Sequence, residues 1–263
     1  MRGLVLRMDA PMASYGGVMI DQHGFVDAFP ATSMLTGLAA KALGWEHGDF
    51  AKLQGLQERI EFAARWDVWP QRMVDYHTVD LGQPKMVGYA NRQKRGDPVG
   101  GWTTRGQPDH RGGGAAAKFG THQRYRHYWM DGLMTLVLSL KGCEEPDLDT
   151  LLGAFRQPAR PLFLGRKTCL PARPLLDPLT PMAEGENLLT ILRHVPVWDR
   201  YGMPQPYDAT LTASWPAELG QEGRGQTQRV AGLRDWANQI PAGSRLRIEG
   251  LLGGSTDDNT AHG

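Results

Sequence analysis

The 263-residue sequence predicts an α+β fold. A ferredoxin-like βαββαβ domain is expected at residues 1–173, and a smaller, mostly β domain at 174–252. Strand-like and helix-like patterns follow one another in the ferredoxin-like order, and a glycine-rich basic insertion interrupts them at about residues 80–126. Beyond Pro174, proline-rich connections alternate with short strand candidates, which favours a change of domain. Residues 253–263 are predicted to be a disordered tail.

The first strand and helix have clear boundaries. Residues 3–8 are almost entirely apolar, which indicates a short buried strand. The first helix is opened by Pro30, and Thr32 or Ser33 is its expected N-cap; Gly44 ends it. Its apolar residues at helical spacing are Met34, Leu35, Leu38, Ala39, Ala42 and Leu43.

The remaining elements complete the predicted domain. Residues 60–66 alternate like a half-buried strand, and residues 133–140 are nearly continuously apolar, which is typical of a central strand. Pro146 and Asp147 open a second helix with an acidic first turn. Residues 160–164 are expected to return as the last strand. Four strands with two helices on one face also form the architecture of RNA-recognition modules, so the predicted domain is RRM-like.

Composition limits the cellular class. Hydrophobic residues make up 41% of the chain, enough to bury a core. Cys143 and Cys169 are too few and too far apart for a disulfide framework. No apolar run approaches the roughly 18 residues of a membrane span, and no signal-peptide core precedes Leu4. These features predict a soluble cytoplasmic protein with no membrane partner.

Residues 82–126, here called the basic arm, carry most of the chemical information. They contain nine Lys/Arg and two Asp, a local charge of +7 in a chain of net charge +1. Ten glycines and four aromatic residues are interleaved with the cations. Such a segment buries too little apolar surface to offset the entropy of ordering it alone. The pattern predicts a flexible arm that becomes ordered on a polyanion, with nucleic acid as the first candidate; a solvated loop without a partner is the alternative.

Five local motifs carry a family resemblance. They are DAPMASYG at 9–16, FPATS at 29–33 with LTGLA at 35–39, DYHT at 75–78, QRYRHY at 123–128, and PLFLGRKTC at 161–169. In this order they resemble the CasD subunits of type I-E Cascade, which belong to the RAMP superfamily of CRISPR-associated proteins. The resemblance covers roughly residues 2–180.

The resemblance implies a non-catalytic RNA-binding subunit of an antiviral surveillance complex. Such a subunit caps the 5′ handle of the crRNA and packs against the first backbone subunit and the large subunit. It meets target DNA only through the assembled complex, and another subunit cuts the guide precursor. The basic arm would be the thumb of this family, and no cofactor is expected.

Arg126 is the last residue of the arm and follows an aromatic residue in the 123–128 motif, where a guanidinium can stack on a base and bond a phosphate. Tyr125 would stack on a base or pack the arm. The segment of Gly165, Arg166 and Lys167 resembles the glycine-rich loop of RAMP proteins, although a solvated β-turn explains it too. The residues expected to bind RNA are Tyr15, Gly16, Ser33, His77, Arg92, Lys94, Arg95, Arg105, Arg111, Lys118, Arg124, Tyr125, Arg126, Gly165, Arg166 and Lys167.

Two other functions stay open at the level of sequence. Tyr76, His77 and Lys118 could form a metal-independent endoribonuclease site that processes precursor crRNA. The basic arm could instead bind an acidic protein, which would make the chain a structural adaptor. The histidines lack zinc-type spacing with cysteine, so no metal is predicted.

Overall fold

The computed structural model describes residues 1–17, 19–80, 101–102, 108–109, 121–207, 209–220 and 224–253. The chain forms two compact units. The main unit comprises Met1–Gly17, Val26–Met73 and Tyr128–Gly263, and the small unit comprises Val18–Phe25 and Val74–His127.

Strands predominate over helices among the described residues. The strands are β1 (Arg2–Ala13), β2 (Met19–Ile20), β3 (His23–Gly24), β4 (Ile60–Val68), β5 (Gln71–Asp80), β6 (Gly101–Trp102), β7 (Pro108–Asp109), β8 (Thr121–Leu140), β9 (Met182–Glu184), β10 (Val197–Trp198), β11 (Pro204–Gln205), β12 (Thr210–Pro216), β13 (Arg224–Ala231), β14 (Arg234–Asp235), β15 (Ile240–Pro241) and β16 (Ser244–Gly253). The α-helices are α1 (Thr32–Leu43), α2 (Phe50–Arg59), α3 (Leu148–Arg156) and α4 (Leu188–His194). None of these helices is long and apolar enough to cross a membrane.

The main sheet has the strand order β13-β16-β12-β4-β8-β1-β9, and each neighbouring pair is antiparallel. Its central strands are apolar on both faces because both faces are covered. Leu4 and Leu6 of β1 share a core with residues of α1 and α3. Val5 between them belongs to a second core with α4, β12 and β16. Successive side chains of a strand point to opposite faces, so a continuous apolar run is what this two-sided burial requires.

Several predicted elements are confirmed. The expected strands at 3–8, 60–66 and 133–140 lie within β1, β4 and β8. Gly44 ends α1 in the left-handed conformation, at φ 78°, which glycine adopts without a steric penalty. Asp147 caps α3 by accepting a hydrogen bond from the Thr150 N–H.

The predicted last strand at 160–164 is wrong. The fourth strand of this part of the sheet is β9, which pairs with β1. The segment before β9 still follows the edge of β1 through separate hydrogen bonds, from the Ser14 N–H to the Leu164 oxygen (2.9 Å) and from the Ala172 N–H to the Asp9 oxygen (2.8 Å). Pro171 interrupts a regular ladder here because proline has no N–H to donate.

The predicted N-cap of α1 is also wrong. Ala31 is the N-cap residue, and no side chain caps the helix. Thr32 is already its first residue, and the Ser33 N–H donates to the Gly232 oxygen at 2.9 Å. A backbone contact from a segment two hundred residues away therefore replaces the local cap. Helices α2 and α4 were not predicted from the sequence.

The C-terminal strands β12, β13 and β16 belong to the same sheet, whereas β10 pairs with β11 and β14 with β15 in separate two-stranded sheets. β12 pairs with β4, placing Ala213 opposite Arg65. Residues 128–263 all fall in the main unit, so the division into two units has no boundary at 173/174. A separate domain at 174–252 stays a prediction, and residues 254–263 of the expected tail lie outside the described residues.

A fully buried ionic cluster lies in the main unit. The Asp67 carboxylate accepts hydrogen bonds from Arg65 Nε (2.8 Å), Arg7 Nη1 (3.0 Å) and Thr135 Oγ1 (2.6 Å). Arg7 Nε also donates to Asp177 at 2.7 Å. The charges of both arginines are thus balanced by carboxylates, which is the condition under which buried ions are tolerated.

We expect Asp67→Asn to lower the free energy of unfolding by about 3–5 kcal/mol, because the substitution leaves two buried guanidinium groups with one carboxylate. Urea unfolding followed by circular dichroism measures this change. Asp149→Asn is the matched control, since it breaks the exposed ion pair with Arg2, and surface pairs contribute little. Equal stability of the Asp67 variant and the wild type would contradict the expectation.

Candidate nucleic-acid interface

The small unit brings together residues that are about a hundred positions apart in the chain. β3 pairs in parallel with the start of β8, with His23 opposite Tyr125. Because side chains alternate along a strand, Tyr125 and His127 lie on one face of β8. Arg124 and Arg126 lie on the other face. This strand therefore separates an aromatic face from a cationic face.

Three rings form a row on the aromatic face, here called the aromatic row. His23 and Tyr125 are stacked, with their centroids 4.6 Å apart and their planes at 10°. Tyr76 lies 4.9 Å from Tyr125 at 32°. With a ring on either side, Tyr125 is placed for packing rather than for stacking on a base. Tyr76 is half-exposed, so the free ring surface of the row is at Tyr76.

The cationic face carries the expected guanidinium groups. Arg126 is exposed. Arg124 is partly buried and its Nη1 lies 3.0 Å from the sulfur of Met19. An exposed guanidinium next to a partly anchored one suits contact with a phosphate backbone, because phosphates reward cations without requiring a base sequence.

His77 and Tyr76 are neighbours on β5 and lie on opposite faces of that strand. His77 Nε2 is 2.5 Å from the Asp75 carboxylate, while Tyr76 joins the aromatic row. The strand therefore points the two side chains away from each other. Among the described residues, no group of three His, Cys, Asp or Glu is arranged to hold a metal ion.

The glycine-rich loop of Gly165, Arg166 and Lys167 lies in the main unit. Gly165 has a φ of 97°, and a Cβ there would collide with the backbone oxygen of Ser14. The Leu164 N–H donates to the Cys169 oxygen at 2.8 Å, and the Cys169 N–H donates to the Arg166 oxygen at 2.9 Å. The loop is thus a closed turn that touches the end of β1, and the close approach requires glycine.

Two cations extend from this turn. The Arg166 guanidinium lies over the Tyr128 ring, 4.7 Å from its centroid, and Lys167 is exposed. Gly16, which follows β1, is exposed as well and has a φ of 91°. The main unit therefore brings exposed glycine backbone close to two cations, an arrangement that suits a phosphate.

Two other expected RNA contacts have a different environment. The Tyr15 side chain is 1% exposed and packs 5.9 Å from Trp66, so it offers no surface to RNA and belongs to the core. Burial raises the pKa of its hydroxyl. Ser33 is partly exposed, but its N–H is already bonded to Gly232.

Six of the expected RNA contacts lie outside the described residues. They are Arg92, Lys94, Arg95, Arg105, Arg111 and Lys118. Their assignment stays a prediction.

Comparison with known proteins decides the family. A model described as "CRISPR-associated protein (Cas_Cas5)" matches residues 3–248. The chain belongs to the Cas5 family. The family resemblance carried by the five sequence motifs is confirmed.

Individual relatives of this Cas5-family chain agree with the match. The chain is 29% identical over 184 residues to the CRISPR system Cascade subunit CasD of Escherichia coli (strain K12), covering 67% of this chain and 68% of that protein. A solved "CRISPR RNA-guided surveillance complex" contains a chain with a TM-score of 0.61 and 21% identity, covering 96% of this chain and 90% of that one. A "Crystal structure of Cas protein" gives a TM-score of 0.56, also at 21% identity, with 95% coverage of both chains. These structures share the mixed α+β fold.

Sequence reasoning did not find His23 and Phe25. Their environment is built by strand pairing: Phe25 lies 4.8 Å from His127, and His23 stacks on Tyr125. The local sequence has no periodicity long enough to predict β3, which is two residues long. The alternating aromatic residues at 23 and 25, matching those at 125 and 127, were the available signal.

We expect Gly165→Ala to destabilise the Cas5-family chain more than Gly16→Ala. Both glycines have positive φ, which costs an alanine about 1 kcal/mol. Only Gly165 would also force its Cβ into the Ser14 oxygen, whereas a Cβ at Gly16 would have no atom of the described residues within 4 Å. Thermal and urea unfolding of the two variants test the difference, and equal losses would contradict the close approach at Gly165.

We expect Tyr15→Phe to leave the free energy of unfolding unchanged or to raise it by up to about 1 kcal/mol. The Tyr15 hydroxyl is buried without a hydrogen-bond partner among the described residues, and removing an unpaired buried polar group relieves its desolvation cost. Denaturant unfolding measures the effect. A clear loss of stability would show that the hydroxyl has a partner.

Proposed function

We propose that this Cas5-family chain is a non-catalytic, RNA-binding subunit of a type I-E Cascade. It caps the 5′ handle of the crRNA, contacts the first backbone subunit and the large subunit, and reaches target DNA through the assembled complex. The observation that carries the proposal is the Cas5 match across residues 3–248. The similarity to the CasD subunit of Cascade supports the choice of complex. The assembled particle would be cytoplasmic.

The core arrangement behind this proposal is ferredoxin-like. The path β1, α1, β4, β8, α3, β9 follows the βαββαβ order if α2 and β5 are counted as additions. The strand order β4-β8-β1-β9 with antiparallel neighbours supports this interpretation. The basic arm then joins β5 to β8 as the thumb.

Charge and glycine provide the proposed RNA contacts. The basic arm carries a local charge of +7, and Arg126 is exposed where it re-enters β8. Gly16 and the loop of Gly165, Arg166 and Lys167 offer backbone and cations to a second phosphate. Neutralising several phosphates makes the affinity steeply dependent on salt.

The geometry favours binding over cleavage. An RNA-cleaving site needs its base and its charge-stabilising group directed at the same phosphate. Tyr76 and His77 lie on opposite faces of β5, and His77 is held by Asp75. His77 is therefore proposed as a contact to RNA rather than as a base.

We expect Arg126→Ala to weaken binding of repeat RNA by about tenfold, because one guanidinium contact is typically worth 1–3 kcal/mol. The slope of log affinity against log salt should also fall by about 0.7, the value for one phosphate contact on a single strand. Mobility shifts of labelled repeat RNA at several salt concentrations measure both quantities. Arg224→Ala removes an exposed arginine of β13 and is the matched control.

The same mobility-shift experiment, run in EDTA, distinguishes RNA capping from RNA cleavage and from an adaptor role. A salt-sensitive shift without cleavage supports the capping subunit. Site-specific cleavage that His77→Ala abolishes would replace it with the processing enzyme. Unchanged affinity of the Arg126 variant would remove Arg126 from the interface, and a chain that binds partner subunits but no RNA would be an adaptor.

A further inference from the structure

A cavity of about 320 Å³ opens in the main unit beside α1 and the β14–β15 hairpin. Lys41 of α1, Phe163, Gly165, Arg234 and Trp236 line it. Its volume lies at the lower end of the range for small-molecule sites. Gly165 on its wall connects it to the glycine-rich loop.

Two buried donors at this cavity have no acceptor in the described part of the chain. Trp236 is 6% exposed, and its indole N–H has no hydrogen-bond partner among the described residues. Arg234 Nε is also unpaired, although its Nη2 donates to the oxygen and to Oε1 of Gln239 at 2.8 and 3.0 Å. A buried donor left unpaired costs about 1–3 kcal/mol. A ligand with suitably placed acceptors would recover that cost.

The hairpin that carries these donors is fixed to the core. The buried Gln57 of α2 donates to the Arg234 oxygen at 2.9 Å and accepts from the Arg234 N–H at 3.0 Å. Trp236 itself packs with Ala40 and Leu53. The donors are therefore held in place before any ligand arrives, which lowers the entropic cost of binding.

The lining is both aromatic and cationic. Lys41 Nζ lies 4.2 Å from the centroid of Phe163, and Arg160 bonds the Trp45 oxygen (3.0 Å) and the Glu46 carboxylate (3.1 Å). Glu46 is the one carboxylate among the described lining residues, against Lys41, Arg160 and Arg234. The site thus suits a ligand that combines a planar ring, carbonyl acceptors and negative charge.

We infer that this cavity binds one nucleotide of a single-stranded RNA. The base would enter the cavity with a carbonyl oxygen accepting from the Trp236 N–H, and its phosphate would lie at the turn of Gly165, Arg166 and Lys167. Splayed bases held by aromatic side chains and hydrogen bonds are the usual means of reading single-stranded RNA. The identification of the ligand as RNA rests on the proposed function, whereas the cavity and its donors do not.

The test uses the full chain labelled with 15N at its tryptophan indoles, titrated with UMP, AMP or inorganic phosphate. Trp236→Phe identifies the Trp236 resonance, and Trp69→Phe identifies that of the exposed Trp69 as the control. We expect UMP to shift the Trp236 resonance saturably. AMP should shift it less because adenine has no carbonyl, and phosphate alone should shift it least. The absence of a Trp236 response to any nucleotide would overturn the inference.

Binding of repeat RNA gives the second readout. We expect Trp236→Phe to lower affinity by about three- to tenfold. Because phenylalanine is smaller than the buried indole, the thermal midpoint is measured alongside to show that the variant is folded at the assay temperature. Trp69→Phe should bind like the wild type. If Trp236→Phe fails to fold, Lys41→Gln replaces it and should weaken the response to UMP.

The outcomes distinguish the two proposals. If Arg126→Ala weakens RNA binding, while Trp236→Phe leaves RNA affinity unchanged and UMP does not shift the Trp236 resonance of the wild type, the cavity fails and the RNA-binding function stands. If the wild type binds no RNA but UMP still shifts Trp236, the proposed function fails and the cavity is a nucleotide site of another kind.

Discussion

The arrangement of the main unit depends on the carboxylate of Asp67. One carboxylate at the end of β4 holds Arg65 of the same strand, Arg7 of β1 and Thr135 of β8. The same carboxylate accepts the backbone N–H of Trp198 at 2.8 Å. Hydrophobic burial drives the sheet together, but strands that are apolar on both faces can slip along each other and still bury apolar side chains. The buried charge cluster fixes the register, because a slip would leave ions unpaired at a cost of several kcal/mol each.

The register of β1 determines where the residues that follow it, from Ser14 onward, lie. β1 leaves the sheet at Ala13, and the next residue, Ser14, is bonded to Leu164. Gly165 must then lie against the Ser14 backbone, and the cationic residues Arg166 and Lys167 follow it in the chain. A mobile loop could reach a phosphate only after losing entropy. This turn, in contrast, is already closed by its own backbone hydrogen bonds.

The local sequence pattern was sufficient to predict some secondary-structure elements and insufficient to predict others. β1 and β8 were predictable because two-sided burial leaves long apolar runs, β4 because its residues alternate, and the end of α1 because glycine adopts the left-handed cap without a steric penalty. The strand expected at 160–164 failed because its apolar residues pack without a regular ladder. His23 beside Tyr125 and Trp236 beside α1 depend on contacts between distant segments, which no local window contains. The cationic residues were recognisable from composition alone, but composition could not show that Tyr15 is buried.

Alternation at the start of β8 has an evolutionary consequence. Arginine occupies positions 124 and 126, and aromatic residues occupy 125 and 127, so charge and packing are inherited through separate codons within one short stretch of β8. Lineages can retune one property by substitutions that spare the other. A strand that carried both properties on one face would lack this freedom, since every change of charge there would also disturb the packing of the rings.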